Sequence, residues 1–411
     1  MHILFLTQIL PYPLDSGAKV RASFVLRYLA ARHRVTLVSF SRASDPPAAL
    51  AHLRTVCHAV HTVPMTRSLA GEARSLARSL VSGQPYTLLR DERRAMHQLL
   101  QQLVQAEPFD AIHADQLAMA DYAWQASRVA HASAPRLVLD AHNAYYLIPQ
   151  RMAAATRNPA LRLFLRREAR LMARAEGECY RRFDHLLTVT PEDRAAIETL
   201  LPSDPAAPPQ RWTMPICVDS AAPPLKRQPA ARGLLLLGGL HWPPNADGAR
   251  WFLREVWPLV RQQAPQAQLF IVGARPPADL QAAASARDSA TAPDGAVIVP
   301  GYVTDPQPFL AASAALIVPL RSGGGMRVKI VEALQWGLPV ISTTIGCEGI
   351  EVTPGRDLLV ADTPAALAAA AVQLLQDPAQ GDALAANGRR LLAARYDWRR
   401  EYTLLDAIYP A

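Results

Sequence analysis

Short apolar segments alternate with helix-length segments along the whole chain, and this alternation constrains the fold more than any other feature. Near-continuous apolar runs fit strands that are buried on both faces, and strands that alternate with helices form parallel sheets. In the first half we predict strands at 2–8, 34–40, 58–64, 110–115, 136–142 and 185–190. In the second half we predict strands at 233–240, 267–273, 296–303, 314–320, 339–344 and 357–362. The pattern therefore predicts an α/β protein.

A proline-rich segment separates the two series of strands. Residues 202–231 contain eight prolines, a density typical of linkers. We predict two doubly wound, Rossmann-like domains that face each other across a cleft, with ligands at the carboxyl ends of the strands. The predicted bounds are 1–215 for the first domain, 216–231 for the linker, 232–395 for the second domain and 396–411 for a C-terminal helix. Whether this helix crosses back to the first domain is not decided by the sequence.

Composition excludes several classes of protein. The chain has 411 residues, half of them hydrophobic, which is enough for two cores. No apolar run reaches the roughly 18 residues of a membrane span. The N-terminal segment HILFLTQIL lacks a basic region before it and fits a first strand better than a signal peptide. The four cysteines show no C-x-x-C spacing, so we expect neither a disulfide framework nor a zinc site, and a cytoplasmic location.

Positive charge is concentrated in the first half. Residues 1–224 carry 26 Lys and Arg against 19 Asp and Glu, and the whole chain has a net charge of +8. Two interpretations of this excess remain open. The basic half lies peripherally against anionic lipid on the inner face of the membrane, or its arginines are solvated and paired with interleaved glutamates. We expect no nucleic acid partner, because no recognised binding module is visible.

The segment Ser322–Ala333, SGGGMRVKIVEA, has the pattern of an anion site. A predicted strand leads into the three glycines Gly323, Gly324 and Gly325, and a helical pattern opens at Met326. Glycines let the backbone approach a phosphate closely, and the first N–H groups of a helix have no partner within the helix. The segment is not a P-loop, since no Gly-Lys-Ser/Thr follows at the required spacing.

Charged side chains in this first helical turn extend the pattern. Arg327 and Lys329 are positive, and Glu332 shares a face with Lys329 one turn further on. A diphosphate at the turn, with a hydroxylated group beyond it, would contact all three. The alternative is that the glycines only form a tight turn and that Lys329 and Glu332 are an ordinary surface pair.

Other predicted strand ends carry further candidates. Gly17 opens a helix together with Lys19 and Arg21 and gives a second candidate anion site; alternatively the two basic residues are solvated. His142 follows a strand and can donate a hydrogen bond to a sugar hydroxyl or move a proton. His113 lies at a similar position, and a structural role is favoured for it.

The loop after the first strand of the second half contains Gly238 and Gly239, which would let the backbone approach a phosphate. In the same loop, Asn245 is either a ligand contact or a helix cap, and Trp242 is either a core residue or a stacking platform for a base. The sequence contains no Asp-x-Asp triplet, a usual means of holding a divalent cation on a diphosphate. We therefore expect no metal, and the helix dipole, Arg327 and Lys329 would stabilise the leaving group instead.

These residues resemble those of family 4 glycosyltransferases of the GT-B fold. The resemblance is strongest over 233–377, in the segments GGLHWPPNADGARWFLREVWP, AQLFIVG and SGGGMRVKIVEALQWGLPVISTTIGCEGI. The chain is most similar to the bacterial branch that acts in cell-surface polysaccharide assembly. The first domain is similar more weakly, through DSGAKVR and DAHN.

The resemblance implies a role for each candidate. Glu332 would bind the nucleotide ribose, and the loop through Gly325 and Met326 would bind the diphosphate. Arg327 or Lys329 would stabilise the leaving phosphate. In the first domain, on the acceptor side, Gly17 would approach the donor phosphate and His142 would contact the sugar.

Two departures from the family pattern concern the site. Many members carry two glutamates eight positions apart, whereas the position eight before Glu332 is Gly324. Many also carry Arg and Lys in the loop where this chain has Gly239 and Pro244 or Asn245. Arg327 and Lys329 would supply that charge instead.

The resemblance implies a hexosyltransferase that is retaining and metal-independent and needs no cofactor. The donor would be a nucleotide-diphosphate sugar, linked to UDP or GDP, and the acceptor a sugar or a lipid-linked glycan. One alternative is a nucleotide-sugar epimerase or hydrolase on the same fold. Another is a non-catalytic scaffold that binds a nucleotide sugar. A dehydrogenase is less favoured, since no G-x-G-x-x-G opens either domain.

Overall fold

The computed structural model describes residues 1–130, 134–156, 158–201, 209–228, 231–284 and 293–410, without the side chain at 155. The chain divides into two compact units. The first comprises Met1–Cys217 together with Trp398–Ala411, and the second comprises Val218–Asp397. Of the eight prolines that suggested a linker, those at 202, 205, 208 and 229 lie outside the described residues.

A seven-stranded parallel sheet forms the first unit, in the order β3-β2-β1-β4-β5-β6-β7. Its strands are β1 His2–Thr7, β2 Arg34–Ser41, β3 Ala59–Pro64, β4 Ala111–Asp115, β5 Arg136–Ala141, β6 His185–Thr188 and β7 Gln210–Thr213. The residues of β1 from Ile3 to Leu6 have no exposed surface, as expected for a central strand covered on both faces.

The helices of the first unit connect these strands. They are α1 Gly17–Ala30, α2 Pro47–Val56, α3 Leu69–Ser82, α4 Tyr86–Leu89, α5 Arg94–Ala106, α6 Ala120–Arg128, α7 Leu147–Ala155, α8 Pro159–Tyr180 and α9 Pro191–Glu198. The start of α3 is fixed by Ser68, whose side chain accepts a hydrogen bond from the Gly71 N–H. Asn158 caps α8 in the same way, followed by a proline in the first turn.

A six-stranded parallel sheet forms the second unit, in the order β10-β9-β8-β11-β12-β13. Its strands are β8 Gly233–Leu237, β9 Gln268–Val272, β10 Val297–Gly301, β11 Ser313–Val318, β12 Val340–Ser342 and β13 Leu359–Val360. Its helices are α10 Pro243–Trp251, α11 Trp257–Gln263, α12 Ala278–Ala282, α13 Gln307–Ala311, α14 Val328–Trp336, α15 Pro364–Gln376 and α16 Pro378–Arg395, with a π-helical turn at Phe252–Val256.

The C-terminal segment packs on the first unit. It contains the short helices α17 Trp398–Glu401 and α18 Leu405–Ile408. The Cys217 N–H donates a hydrogen bond to the Tyr402 hydroxyl at 3.3 Å, and the Tyr409 hydroxyl lies 2.7 Å from Nδ1 of His113. Both tyrosines are buried. No helix in the described part of the chain combines the length and apolar composition needed to cross a bilayer.

The twelve predicted strands are confirmed, but the sequence interpretation missed β7. This strand has only four residues, three of them polar or charged, and it lies inside the proline-rich segment. β7 is the last strand at one edge of its sheet, where neighbouring prolines are tolerated because no further strand needs their N–H groups.

Candidate functional site

Two loops of the second unit meet at the carboxyl edge of its sheet. One follows β8 and the other follows β11, and these two strands are neighbours at the point where the strand order reverses direction. Lys329 Nζ donates a hydrogen bond to Asn245 Oδ1 at 3.0 Å, and Asn245 Nδ2 donates to the Gly239 carbonyl at 2.9 Å. Asn245 therefore links the loop after β8 to the first turn of α14, and it does not cap α10, whose N-cap is Trp242.

Gly238 permits this close approach. Its φ of 136° lies in a region that L side chains rarely adopt. A Cβ atom at this position would lie 2.9 Å from Lys329 Nζ and 3.2 Å from Asn245 Nδ2. A Cβ atom on Gly239 would instead meet the ring of His241 at 2.7 Å, and that side chain is exposed. The steric requirement for glycine is therefore stronger at 238.

The glycine loop after β11 is held by Arg327. Gly323 has a φ of 130°, and its Cβ would lie 3.0 Å from Arg327 Nη2 and 3.8 Å from Cβ of Pro244 in the first turn of α10. Arg327 Nη1 donates hydrogen bonds to the carbonyl oxygens of Gly324 and Gly325. The side chain of Arg327 is buried, so it fixes the path of the loop as well as adding positive charge to it.

The helix that follows the glycine loop begins later than expected. α14 starts at Val328, two residues after the predicted start at Met326, because Arg327 has a φ of −88° and a ψ of 87°, which are not helical. Met326 is buried, so its side chain packs inside the unit.

Lys329 lies in the first turn of α14 and is partly buried. Burial and, to a smaller extent, the charge of Arg327 lower the pKa of its ammonium group to about 8, although Glu332 opposes the shift. A bound anion would stabilise the charged form of this lysine. The predicted grouping of Gly238, Arg327, Lys329 and Glu332 is therefore present in the structure as a set of neighbours.

A third loop approaches the same place from β12. A Cβ atom on Gly346 would lie 2.5 Å from the carbonyl oxygen of Val318, the last residue of β11. Burial raises the pKa of the Cys347 thiol, and the Arg327 charge partly offsets this.

Trp242, in the loop after β8, is 40% exposed and is therefore not a core residue.

The first unit has its own cluster at the carboxyl edge of its sheet. Asp115 ends β4, Asp140 lies opposite it in β5, and His142 follows β5. His142 Nε2 lies 2.8 Å from Asp115 Oδ1, and both side chains are buried. Arg21, from α1, donates from Nε to both carboxylate oxygens of Asp140 at 2.8 and 2.9 Å.

The two carboxyl groups have opposite pKa shifts. Burial raises the pKa of Asp115, although His142 opposes the shift. Burial would also raise the pKa of Asp140, but the guanidinium group of Arg21 outweighs it and holds that pKa below its usual value. At many reactive sites, contrasting environments move the pKa values of two neighbouring carboxyl groups apart in this way.

The residues at the start of α1 differ from their predicted arrangement. Gly17 is the first residue of α1, as expected. Lys19 forms an ion pair with Asp15 at 2.8 Å. Arg21 is completely buried, and its Nη1 also donates to the Met214 carbonyl at 2.6 Å. Arg21 is therefore neither solvated nor available to an anion.

His113 has the structural role favoured for it. Its ring stacks on Phe5 with centroids 4.4 Å apart, and Nδ1 lies 2.7 Å from the Tyr409 hydroxyl. Burial lowers the pKa of His113 to about 4, so the ring is neutral near pH 7.

Potential metal ligands come together once in the described part of the chain, at Asp115, Asp140 and His142. The ligand atoms lie within 4.8 Å of one another. The Asp140 carboxylate is already paired with Arg21, whose Nη2 is 2.7 Å from Oδ1. This donor set does not fit a divalent cation well, because the cation would have to sit beside a buried guanidinium group.

Sequence reasoning named Arg21 and Asp140 but missed their pairing. The signal was Arg21 between Val20 and Ala22 in a segment rich in apolar residues, which suggests a buried charge that needs a partner. Sequence reasoning also missed a second group in the same unit. Six arginines between 67 and 94 line a cavity there.

Comparison with known proteins shows a match between part of the second unit and one family model. Residues 231–377 match the model of the family described as Glycosyl transferases group 1, a segment that includes all the candidate residues of the second unit. An uncharacterized 44.6 kDa protein in the cps region of Klebsiella pneumoniae is 25% identical over 175 residues, which cover 41% of this chain and 44% of that protein. The match therefore spans less than half the length of this relative.

Solved structures are similar along the whole chain. HepE from Anabaena, in complex with UDP and glucose, has a TM-score of 0.66 and 15% identity, and the match covers 100% of both chains. WaaG, a glycosyltransferase involved in lipopolysaccharide biosynthesis, has a TM-score of 0.64 and 17% identity, also covering 100% of both chains. The predicted fold class is confirmed: two parallel-sheet α/β units that match GT-B glycosyltransferase structures.

Proposed function

We propose that this protein is a glycosyltransferase that moves a sugar from a nucleotide-diphosphate donor to an acceptor hydroxyl. One observation carries the proposal: Lys329 and Asn245 join two glycine-containing loops at the carboxyl edge of the second sheet. Positive charge, a helix N-terminus and glycines with little room for a side chain are what a diphosphate needs. The family match over 231–377 supports the same assignment.

Leaving-group stabilisation is the main catalytic task in this proposal. The nucleotide diphosphate leaves with negative charge, which Lys329, Arg327 and the dipole of α14 would stabilise without a metal ion. Glu332, one turn beyond Lys329, would accept hydrogen bonds from the ribose. The backbone of Gly323–Met326 and of Gly238 and Gly239 would line the phosphates.

The first unit would contribute groups at the sugar and the acceptor. His142 is proposed to contact the transferred sugar, and the backbone at Gly17 to approach the donor phosphate. The Asp115 carboxylate holds one nitrogen of His142 and leaves the other for a ligand. No side chain at these sites is an evident nucleophile, which supports a reaction in which positioning and electrostatics supply most of the rate.

We further propose a retaining, family 4 enzyme of the hexosyltransferase type that acts in bacterial cell-surface polysaccharide assembly. The donor would be linked to UDP or GDP, and the acceptor would be a sugar or a lipid-linked glycan. Support comes from the resemblance over 233–377 and from neighbours whose names mention UDP or lipopolysaccharide biosynthesis. These neighbours are less than 25% identical, so they support the fold directly and the substrates only by analogy.

Peripheral contact with an anionic membrane on its cytoplasmic face belongs to the same proposal. Large apolar side chains are exposed on α3 and α8, at Leu69 (90%), Leu80 (62%), Val81 (91%) and Leu163 (73%). The first of these helices also carries two arginines and the second carries five. Apolar and basic side chains on the same helices are typical of surfaces that adsorb to anionic lipid.

A thermal-shift screen against UDP, GDP, ADP, TDP and CDP tests donor binding. A ligand that binds only the folded protein stabilises it by RT ln(1 + [L]/Kd). We expect one nucleotide to raise the Tm, and Glu332→Ala and Lys329→Ala each to remove most of that shift. Unchanged shifts in both variants would exclude this pocket.

The cognate nucleotide sugar is then incubated with and without an acceptor. Transfer only when an acceptor is present supports the glycosyltransferase. Epimerised or free sugar without an acceptor would favour the epimerase or hydrolase. Tight binding with no turnover across a broad acceptor panel would favour a non-catalytic scaffold, an alternative motivated by Gly324 at the position of the earlier family glutamate.

A further inference from the structure

The first unit contains a basic cavity, lined in part by the two arginines of α3, for which the proposed function names no small ligand. Its volume is about 550 Å³, within the usual range of small-molecule sites. It lies between the first turns of α3 and the segment from Leu89 to Arg94. Two glutamates line it, Glu72 and Glu92, together with six arginines: Arg67, Arg74, Arg78, Arg90, Arg93 and Arg94. Arginine charge therefore exceeds glutamate charge by four.

The cavity opens near the carboxyl edge of the first sheet. Thr66 and Arg67 line it directly after β3. Arg67 Nη2 lies 2.5 Å from Asp91 Oδ1, and the other oxygen of Asp91 accepts a hydrogen bond from Gln8, just after β1, at 2.7 Å. Ligands of open α/β sheets bind beyond the carboxyl ends of the strands, and the cavity lies at that end of β3, the outermost strand.

Some of the lining arginines are already engaged. Arg78 Nη1 lies 2.5 Å from Glu92 Oε2, and Arg93 Nη2 donates to the Thr66 carbonyl at 3.0 Å. Arg74 and Arg94 form no hydrogen bond or ion pair with any residue that the structure describes. Both side chains are exposed, so their guanidinium groups are free to turn toward an anion in this positively charged cavity.

The chemistry of the lining indicates the kind of anion. A guanidinium group can donate two parallel hydrogen bonds to two oxygens of one phosphate group. Of the two glutamates that line the cavity, Glu72 already accepts a hydrogen bond from the Tyr86 hydroxyl. We propose that this cavity binds the phosphate or diphosphate group of a small ligand, with Arg74 and Arg94 as its main contacts.

The identity of that ligand rests on the proposed function. A glycosyltransferase has an acceptor as its second substrate, and an acceptor that carries a phosphate or diphosphate would place this group in the cavity. The anion site itself depends only on the geometry of the first unit and stands without this assignment.

Isothermal titration with inorganic pyrophosphate tests the site. The Lys329→Met variant of the full chain is used as the host, because it weakens the candidate diphosphate site of the second unit. We expect saturable binding in this host. Arg74→Gln with Arg94→Gln should weaken it about tenfold or more, as expected for the loss of charge-assisted hydrogen bonds. A matched control, Arg54→Gln with Arg128→Gln on exposed positions of α2 and α6, should retain the affinity.

The outcomes separate the two proposals. Equal affinity in both double variants would overturn the cavity site. Saturable binding that depends on Arg74 and Arg94, in a protein whose Tm no nucleotide raises, would keep the cavity site and reject the proposed function. Sedimentation with phosphatidylglycerol vesicles forms a second arm. Vesicle binding that is lost in the Arg74, Arg94 variant, with no saturable pyrophosphate binding, would overturn the small-ligand site in favour of lipid headgroups.

Discussion

His142 Nε2 and Asp115 Oδ1 are 2.8 Å apart, and both side chains are buried at the carboxyl edge of the first sheet. The carboxylate fixes the orientation of the ring and the nitrogen that carries the proton. Nδ1 of His142 is then the nitrogen available to a ligand. Asp115 is therefore a positioning residue for His142.

Asp115→Asn should lower kcat/KM for sugar transfer by about tenfold to a hundredfold, the cost of a misplaced buried hydrogen bond to a charged group. Steady-state kinetics with the cognate donor measures this change. UDP affinity should stay unchanged, because the nucleotide is assigned to the second unit. An equal loss of nucleotide affinity would indicate a general structural defect and contradict the positioning role.

Affinity for the nucleotide diphosphate should weaken as the pH rises from 7 to 9. The folded-state pKa of Lys329 is lowered to about 8, so the free protein loses this charge over that range, whereas an anion binds the charged form best. Titration calorimetry at several pH values measures the slope. The Lys329→Met variant should bind the nucleotide diphosphate weakly, and its affinity should not change with pH. A slope that persists in this variant would place the titrating group elsewhere.

The same lysine affects stability. Its ordinary pKa is 10.5, so between about pH 8 and 10.5 the unfolded chain binds the extra proton and the folded chain does not. The contribution of Lys329 to the free energy of unfolding therefore rises with pH through this window. Comparison of denaturant unfolding of the wild type and Lys329→Met across this window isolates the effect. An equal pH dependence in both proteins would contradict it.

Gly238→Ala should abolish most nucleotide binding and lower the stability of the second unit by about 1–3 kcal/mol. The new Cβ atom would meet Lys329 Nζ at 2.9 Å at a φ of 136°. Thermal unfolding with and without nucleotide measures both effects. Gly381→Ala is the control: this glycine is in α16, its Cβ would meet Pro339 at an ordinary 3.4 Å, and the change should be neutral or stabilising.

Arg21→Met should destabilise the first unit by about 3–5 kcal/mol, because it leaves the Asp140 carboxylate buried without its partner. Arg34→Met is the matched control, since Arg34 pairs with Glu107 on the surface at 3.1 Å and its loss should cost less than about 1 kcal/mol. Urea unfolding followed by fluorescence compares the two variants. Similar losses of unfolding free energy in both variants would show that the buried Arg21–Asp140 pair contributes no more than a surface pair.

The sequence predicted most of the fold because buried parallel strands have a strong local signal. β1 and β11 are runs of apolar residues that are recognisable without any tertiary information. β7 was not recognisable, because its four residues become a strand only by pairing with β6. The late start of α14 has a similar cause, since the conformation of Arg327 depends on its contacts with the glycine loop.

The candidate site was predictable as a set of residues but not as a set of contacts. Glycines and basic residues at strand ends identified Gly238 and Lys329. The hydrogen bond between Lys329 and Asn245 joins residues 84 positions apart, and no local pattern contains it. Arg21 was misplaced for the same reason: its partner, Asp140, is 119 positions away.

The packing of Tyr402 and Tyr409 on the first unit has a consequence for biosynthesis. Residues of the first sheet emerge from the ribosome before their partners exist, because the 180 residues of Val218–Asp397 are translated in between. At roughly 5–20 residues per second this delay is about 9–36 s. The second unit is continuous in sequence and is complete at the end of that interval, whereas the first cannot close until Trp398–Ala411 has also been translated.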